Sequence, residues 1–437
     1  MTEPQSAREV LVTKTKRFLG LGKSSRPFLR GFKNATVLSL GNLGSQAIGF
    51  VGSLFIARLF GREKLGDYAT VLAFVTFFQV FDLTGLVKPT IREGCKSQAA
   101  LEQTLSSTVF LRSLSMALAV VLCIAASFLS SYSQTIKLFI VIFSLEIVFV
   151  GLDSFLSAIY QTVEKMQYLA VFNILTRLLA TVFSIVLLYL GGGVLAIVLV
   201  NLFSKGAVLL FNFFCSRQFA RFRFVFRLKI GPRIFRPAIV FTLMGLLTTL
   251  AIKIDVLMLS FLSGRADVGL YSVANSMGQE GILFRNIAAV AFFPIAVKFF
   301  QSRSARARMF LRYAVILFLI VLAGAVVISL FAPQIMVLFY GAEFAASGAI
   351  LRRLVFYLPL AFFALPFTAA LQATHNERLL LGILVMAAAV NITLNIVFFK
   401  IFGLIGIAYS TIVVYLFQAA ALSIVTVRRL RRQGYFV

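Results

Sequence analysis

"LFGREKLGDY", residues 59–68, puts charge into the middle of a long apolar run, and about two hundred residues later "LSGRADVGLY", residues 262–271, does the same. Both have the form Leu-x-Gly-Arg-x-x-apolar-Gly-x-Tyr. Each is flanked by apolar stretches of roughly 20 residues, the length a helix needs to cross about 30 Å of hydrocarbon. A phrase repeated in the same setting points to a chain built from two related halves, each opening with a pair of spans joined by this island.

Composition supports a membrane setting. Of the 437 residues, 60% are hydrophobic and only 13% charged, about half the charged share of a soluble domain. The net charge of +27 sits between apolar runs, where it fixes topology and meets anionic head groups rather than nucleic acid. Cys95, Cys123 and Cys215 lie far apart, without metal-ligand or disulfide spacing. The start is basic and polar and reads as a cytoplasmic tail, because the apolar run after it is too long for a signal-peptide core.

About twelve spans follow from apolar length and polar punctuation, near 35–57, 66–87, 106–130, 135–159, 168–190, 194–214, 238–262, 267–297, 311–331, 346–372, 378–400 and 403–427. The fold class is therefore an all-α polytopic membrane protein with two pseudo-symmetric six-helix bundles around a central cavity. The division runs as a basic tail 1–34, an N-terminal bundle 35–214, a basic linker 215–237, a C-terminal bundle 238–427 and a basic tail 428–437. With the N-terminus inside, the inner segments hold Lys14, Lys16, Arg17, Lys88, Arg92, Lys96, Arg217, Arg221, Lys298, Arg303, Arg428 and Arg429 among others. The outer ones offer Arg58, Arg62, Lys64, Arg265 and Lys400. The excess never inverts along the chain, which predicts both termini in the cytoplasm. Six is even, so the halves share one orientation, as parallel repeats of alternating-access carriers do. Both islands then form outer turns, whose glycines suit positive φ or close helix approach, and whose tyrosines suit the head-group level.

Three stretches carry a family resemblance: "NLGSQAIGFVGSLFIARLFGREKLGDYATVLAF" (42–74), "IKIDVLMLSFLSGRADVGLYSVANSM" (252–277) and "GLIGIAYSTIVVY" (403–415). In order and spacing they resemble the polysaccharide-type flippases of the multidrug/oligosaccharidyl-lipid/polysaccharide exporter superfamily, over essentially residues 31–430. The resemblance implies two six-helix bundles in a V around a cavity, in the cell (inner) membrane. It also implies a transporter rather than an enzyme, one that moves a polyprenyl-pyrophosphate-linked oligosaccharide from the inner to the outer leaflet for cell-surface or exo-polysaccharide synthesis. Partners would be the lipid-linked oligosaccharide, membrane lipids, and a polymerase with its assembly proteins; a monomer is expected. No cofactor is expected beyond a Na+ or H+ gradient.

Ionisable residues inside spans are costly and usually face a bundle interior or wet cavity. Arg177, Lys205 and Arg285, with Lys253 as a fourth, are candidates to offset a diphosphate, which a guanidinium grips as a fork. The alternative is that each neutralises a neighbouring acid. Glu146 and Asp153 are seven apart on one helix face and could tie the fourth span to the fifth or sixth. Lys137, Arg352 and Arg353 are placed to snorkel. Lys253 and Asp255 lie about 200° apart around a helix and cannot both face a lumen. The resemblance implies that Asp255, with Asn391, Thr393 and Asn395, could form a monovalent-cation site; interhelical hydrogen bonding is the plainer alternative. His375 reads as an exposed loop residue.

Other functions weigh against these residues. A cation-coupled multidrug exporter calls for an acid-dominated lobe, whereas this interior carries at least as many cations as acids. A flippase of peptidoglycan lipid precursors is often built with two further spans. A membrane glycosyltransferase would need a sizeable outer loop for its catalytic acids, and every outer loop here is short.

Overall fold

The computed structural model describes residues 26–221, 224–225, 231–301, 307–374 and 376–432. The basic tail before residue 26, His375 and part of the basic linker lie outside the described residues, which hold helices and no strand.

The N-terminal half runs α1 (Arg26–Phe78), α2 (Val87–Gly94), α3 (Gln98–Leu129), α4 (Gln134–Phe143), α5 (Leu145–Thr162), α6 (Met166–Tyr189) and α7 (Val194–Ser216). The C-terminal half runs α8 (Gly231–Leu262), α9 (Arg265–Gln301), α10 (Ala307–Tyr340), α11 (Ala345–Leu354), α12 (Tyr357–Phe363), α13 (Leu365–Ala373), α14 (Glu377–Phe402) and α15 (Leu404–Arg432). Ser97 and Ser133 cap α3 and α4, each hydroxyl accepting from a backbone N–H three residues on.

The first island is tighter than a loop. Two helical limbs meet inside α1 at a kink on Gly61, whose backbone angles are non-helical, at φ 67 and ψ 178. Those angles suit glycine, and the chain doubles back there, because residues 46–57 and 65–72 line one cavity. Among the described residues nine helices are long and apolar enough to cross a membrane, ten when the two limbs of α8, bent by 56°, count as one crossing. The second limb of α1 and α9 supply the other crossings of a twelve-span arrangement.

Two spans depart from a single regular helix. The second ends in a 3-10 turn at Gln79–Phe81, then Leu83 takes left-handed angles (φ 43, ψ 46) before a further 3-10 turn at Thr84–Leu86. The tenth, Ala342–Ala373, is one span whose helix is interrupted at Val355–Phe356 and Ala364, where the backbone angles stay right-handed. Non-helical backbone at membrane depth is tolerated only where protein surrounds it. Leu86 is fully buried against Ile234 and Ala238, and the Gly85 N–H donates to Thr242 Oγ1 at 3.1 Å.

The two islands pack on each other. A Cβ on Gly66 would lie 1.8 Å from the Arg265 carbonyl oxygen, and one on Gly269 would lie 2.0 Å from the Arg62 carbonyl oxygen. These are corresponding positions of the repeated phrase, so the crossing is reciprocal, as a twofold relation requires. Arg265 adds a 3.2 Å bridge to Asp67. Arg58 donates to the carbonyls of Phe339, at 2.8 Å, and Leu338 at the end of α10, where a cation complements unpaired helix-end carbonyls. Tyr132 hydrogen-bonds Ser260 at 2.6 Å and stacks on Phe261. The halves are thus joined across the whole island side.

The two tyrosines of the phrase correct the head-group expectation. Tyr271 is 0% exposed, and Tyr68 is half-buried beside the cavity. Both lie after the glycine that turns inward, so each ring points into the bundle rather than at the membrane surface.

Candidate functional site

Between the halves lies a cavity of about 480 Å³. Its walls come from both limbs of α1 and from α6, α7, α9 and the end of α10. Most of its polar lining is uncharged, from serines with Gln46, Asn201 and Gln279; the charges are Arg177 and Glu280. Arg177 sits midway along the 24-residue α6 and is exposed to the cavity. Gly49 makes the room for it, since a Cβ there would meet Arg177 Nε at 2.5 Å. Gly41 and Gly52 of the same face pack equally closely on Ala170 and Thr181 of α6, the small-residue packing that lets membrane helices approach. Among the described residues no carboxylate lies within 4.0 Å of the Arg177 guanidinium.

The other three candidate cations are not gathered with it. Lys205 Nζ pairs with Glu146 at 2.6 Å. Arg285 Nε donates to the Ala361 carbonyl at 2.8 Å, at a break in the tenth span. Lys253 is within electrostatic reach of Arg177, yet it is absent from the cavity wall. The fourth and sixth spans are tied by two rungs, Glu146–Lys205 and Asn212 donating to Asp153 at 3.0 Å. Seven residues separate the rungs on both helices, which keeps them on facing sides.

A second, smaller cavity of about 200 Å³ adjoins Asp255 and shares Gln46 and Gln279 with the first. Asp255 is buried and accepts three hydrogen bonds, from Tyr271 Oη at 2.9 Å, Asn395 Nδ2 at 2.8 Å and Thr411 Oγ1 at 2.9 Å. Asn391 Oδ1 accepts from Asn395 at 3.4 Å. The structure therefore brings Asp255, Asn391 and Asn395 together. It leaves Thr393 out, correcting that expectation. Thr393 lies exposed and donates to Ala389 of its own helix, because two residues along a helix turn about 200°.

The sequence matches the model of a family described as polysaccharide biosynthesis protein over residues 32–300. The chain belongs to that family. No curated protein matches it in sequence. Among solved structures, this chain is similar to a lipid II flippase, MurJ, in an inward closed conformation. The TM-score is 0.74 at 18% identity, over 89% of this chain and 86% of the other. It is equally similar to an inward-facing multidrug resistance MATE family transporter, with TM-score 0.74, 16% identity, and 89% and 95% of the two chains covered. An outward-facing MATE family transporter gives a lower score, 0.62, at 16% identity over 92% and 96%. The fold is the one these solved structures share.

Three residues of the chain's interior escape a sequence reading. Arg112, 1% exposed, forks onto Asp82 with contacts of 2.8 and 3.3 Å. It lies in a serine-rich part of α3 and its partner sits at the break after the second span. Tyr271 and Thr411 reach Asp255 from spans that only the fold brings near. The one available signal was the position of Tyr271 in the repeated phrase.

Proposed function

We propose that this chain is a flippase that carries a polyprenyl-pyrophosphate-linked oligosaccharide from the inner to the outer leaflet by alternating access, with both termini cytoplasmic. The observation that carries the reading is Arg177, a cavity-exposed guanidinium at mid-membrane with no carboxylate of its own. A cation held there at the insertion cost of about 2.5–3.5 kcal/mol is ready to receive an anion, and its fork fits diphosphate oxygens. The surrounding serine, asparagine and glutamine side chains can exchange hydrogen bonds with sugar hydroxyls. Lys253, near enough to add to the local positive potential, supports Arg177 rather than gripping the substrate. Lys205 serves the scaffold through Glu146, and Arg285 steadies the broken tenth span.

Joined islands and the higher scores against an inward closed and an inward-facing structure support a state closed on the island side. Asp255, Asn391, Asn395 and Thr411 form the coupling site in this reading. Their carboxylate, amide and hydroxyl oxygens are hard donors suited to a monovalent cation, and Asn395 Oδ1 is buried with no partner. Sodium or protons would bias the halves there through α8, α14 and α15. A multidrug exporter for cationic drugs fits less well, because the only acid on the main cavity wall is Glu280.

The test is deletion in the host, identification of the lipid-linked oligosaccharide that accumulates on the cytoplasmic leaflet, and complementation. Wild type should clear it, and Arg177→Ala, present in the membrane at normal level, should not. Normal export by Arg177→Ala would remove Arg177 from the mechanism, and absence of any accumulating glycolipid would remove the flippase reading itself.

A further inference from the structure

Two adjacent arginines stand apart from both cavities. Arg352 and Arg353 close the ten-residue α11, which begins just after the turn that follows α10. Arg352 Nε donates to the Ser329 carbonyl at 3.2 Å, and Ser329 Oγ donates back to the Arg352 carbonyl at 2.9 Å. Arg353 donates to Tyr409 Oη at 2.9 Å and to the Ala349 carbonyl at 2.8 Å. All of these partners are neutral. Among the described residues no carboxylate lies within 4.0 Å of either guanidinium.

Their depth makes this unusual. Ser329 precedes the end of α10 by about as many residues as Arg352 follows the turn. At 1.5 Å per residue both lie roughly 15 Å below that turn, as antiparallel partners must. Exposed apolar side chains on α10 continue from there to the turn, Leu330 at 63%, Phe331 at 56% and Leu338 at 68%, so the outward side of the helix is apolar beyond Ser329. Arg352 is itself exposed on this lipid-facing side. Helical side chains lean toward their own N-terminus, here toward the island side, so the guanidinium reaches toward the head groups. Two neighbouring cations at that depth without an acid are costly unless an anion meets them.

We propose that Arg352 and Arg353 bind the phosphodiester of an anionic phospholipid in the leaflet on the island side, seated in the groove between α10 and α15 over α11. Charge complementarity names the occupant. Among the described residues the Arg352 terminal nitrogens hold no acceptor, a guanidinium fork matches phosphate oxygens, and basic pockets between membrane helices favour such head groups. Leu330 and Phe331 on one flank and Phe402, 52% exposed, on the other offer apolar walls for the acyl chains. The bound lipid would hold α10, α11 and α15 together from outside the bundle.

The experiment uses the purified full chain in mixed phosphatidylglycerol and phosphatidylcholine nanodiscs, read by native mass spectrometry after stepwise lipid removal. Wild type should retain phosphatidylglycerol selectively. Arg352→Gln/Arg353→Gln should retain about thirtyfold less, at roughly 1 kcal/mol of attraction per cation. Arg352→Lys, with charge but no fork, should fall between them. If the double variant does not fold, Arg352→Gln alone is read the same way, because the Arg353–Tyr409 bond remains. Equal retention by wild type and the glutamine variant overturns the proposal. So does a thermal stabilisation of the detergent-solubilised chain by inorganic phosphate equal to that given by phosphatidylglycerol.

Discussion

The two halves share an architecture and treat buried charge differently. In the N-terminal half two acids are paired with cations of neighbouring helices, Asp82 with Arg112 and Glu146 with Lys205, and Asp153 takes the Asn212 amide on the rung beside the second pair. In the C-terminal half Asp255 is held by neutral donors alone, Tyr271, Asn395 and Thr411. Arg285 there leans on a backbone carbonyl. A matched pair locks two helices in one arrangement. A carboxylate held by neutral groups keeps its negative charge available to a cation that comes and goes. The contrast divides the molecule into a braced half and a responsive one.

The largest expected effect breaks the brace. Arg112→Ala strands Asp82 in the interior and should cost about 3–5 kcal/mol, the usual loss when one partner of a buried pair is removed. Thermal unfolding in detergent would read this as a large drop in Tm. Asp82→Leu with Arg112→Met should recover most of it, and a single variant as stable as wild type would refute the bracing role.

Lys205→Met is milder, since both members of its pair are partly exposed. A loss of about 1–2 kcal/mol is expected, between the surface and buried cases, with export retained. Export abolished at unchanged stability would instead make Lys205 a substrate contact.

Asp255→Asn should change stability least, by under about 1 kcal/mol, because the hydroxyl donors around it can rotate to suit an amide. It should nevertheless erase any dependence of flipping on sodium or proton gradients in proteoliposomes. Ion-independent flipping by the wild type would remove the coupling role, while a stability loss as large as that of Arg112→Ala would dissolve the distinction between the halves.

How far the sequence carried this picture depends on distance along the chain. The spans, the duplication and the cation at Arg177 are local features, legible from apolar length and from charge out of place. The exclusion of Thr393 was legible too, by the same rotation that separates Lys253 from Asp255. The partners of Asp82 and Asp255 were not. Arg112 is 30 residues from Asp82 across a backbone break, and Thr411 is 156 residues from Asp255. Helical periodicity says which way a residue faces on its own helix and nothing about which helix stands opposite. The interruptions of the tenth span were legible, because Pro359 and Pro366 lie beside them and neither has an N–H to continue the helical ladder.

The reciprocal crossing of Gly66 and Gly269 has a consequence for how such a chain can change. Each glycine's missing side chain is the space taken by a carbonyl from the other half. Neither copy can accept a larger residue there unless the other retreats. The halves also meet closely where Gly85 packs on Ala238 and Thr242, but at the islands the two copies are a single shared object seen from opposite sides. A duplicated phrase survives here as a lock and its own key.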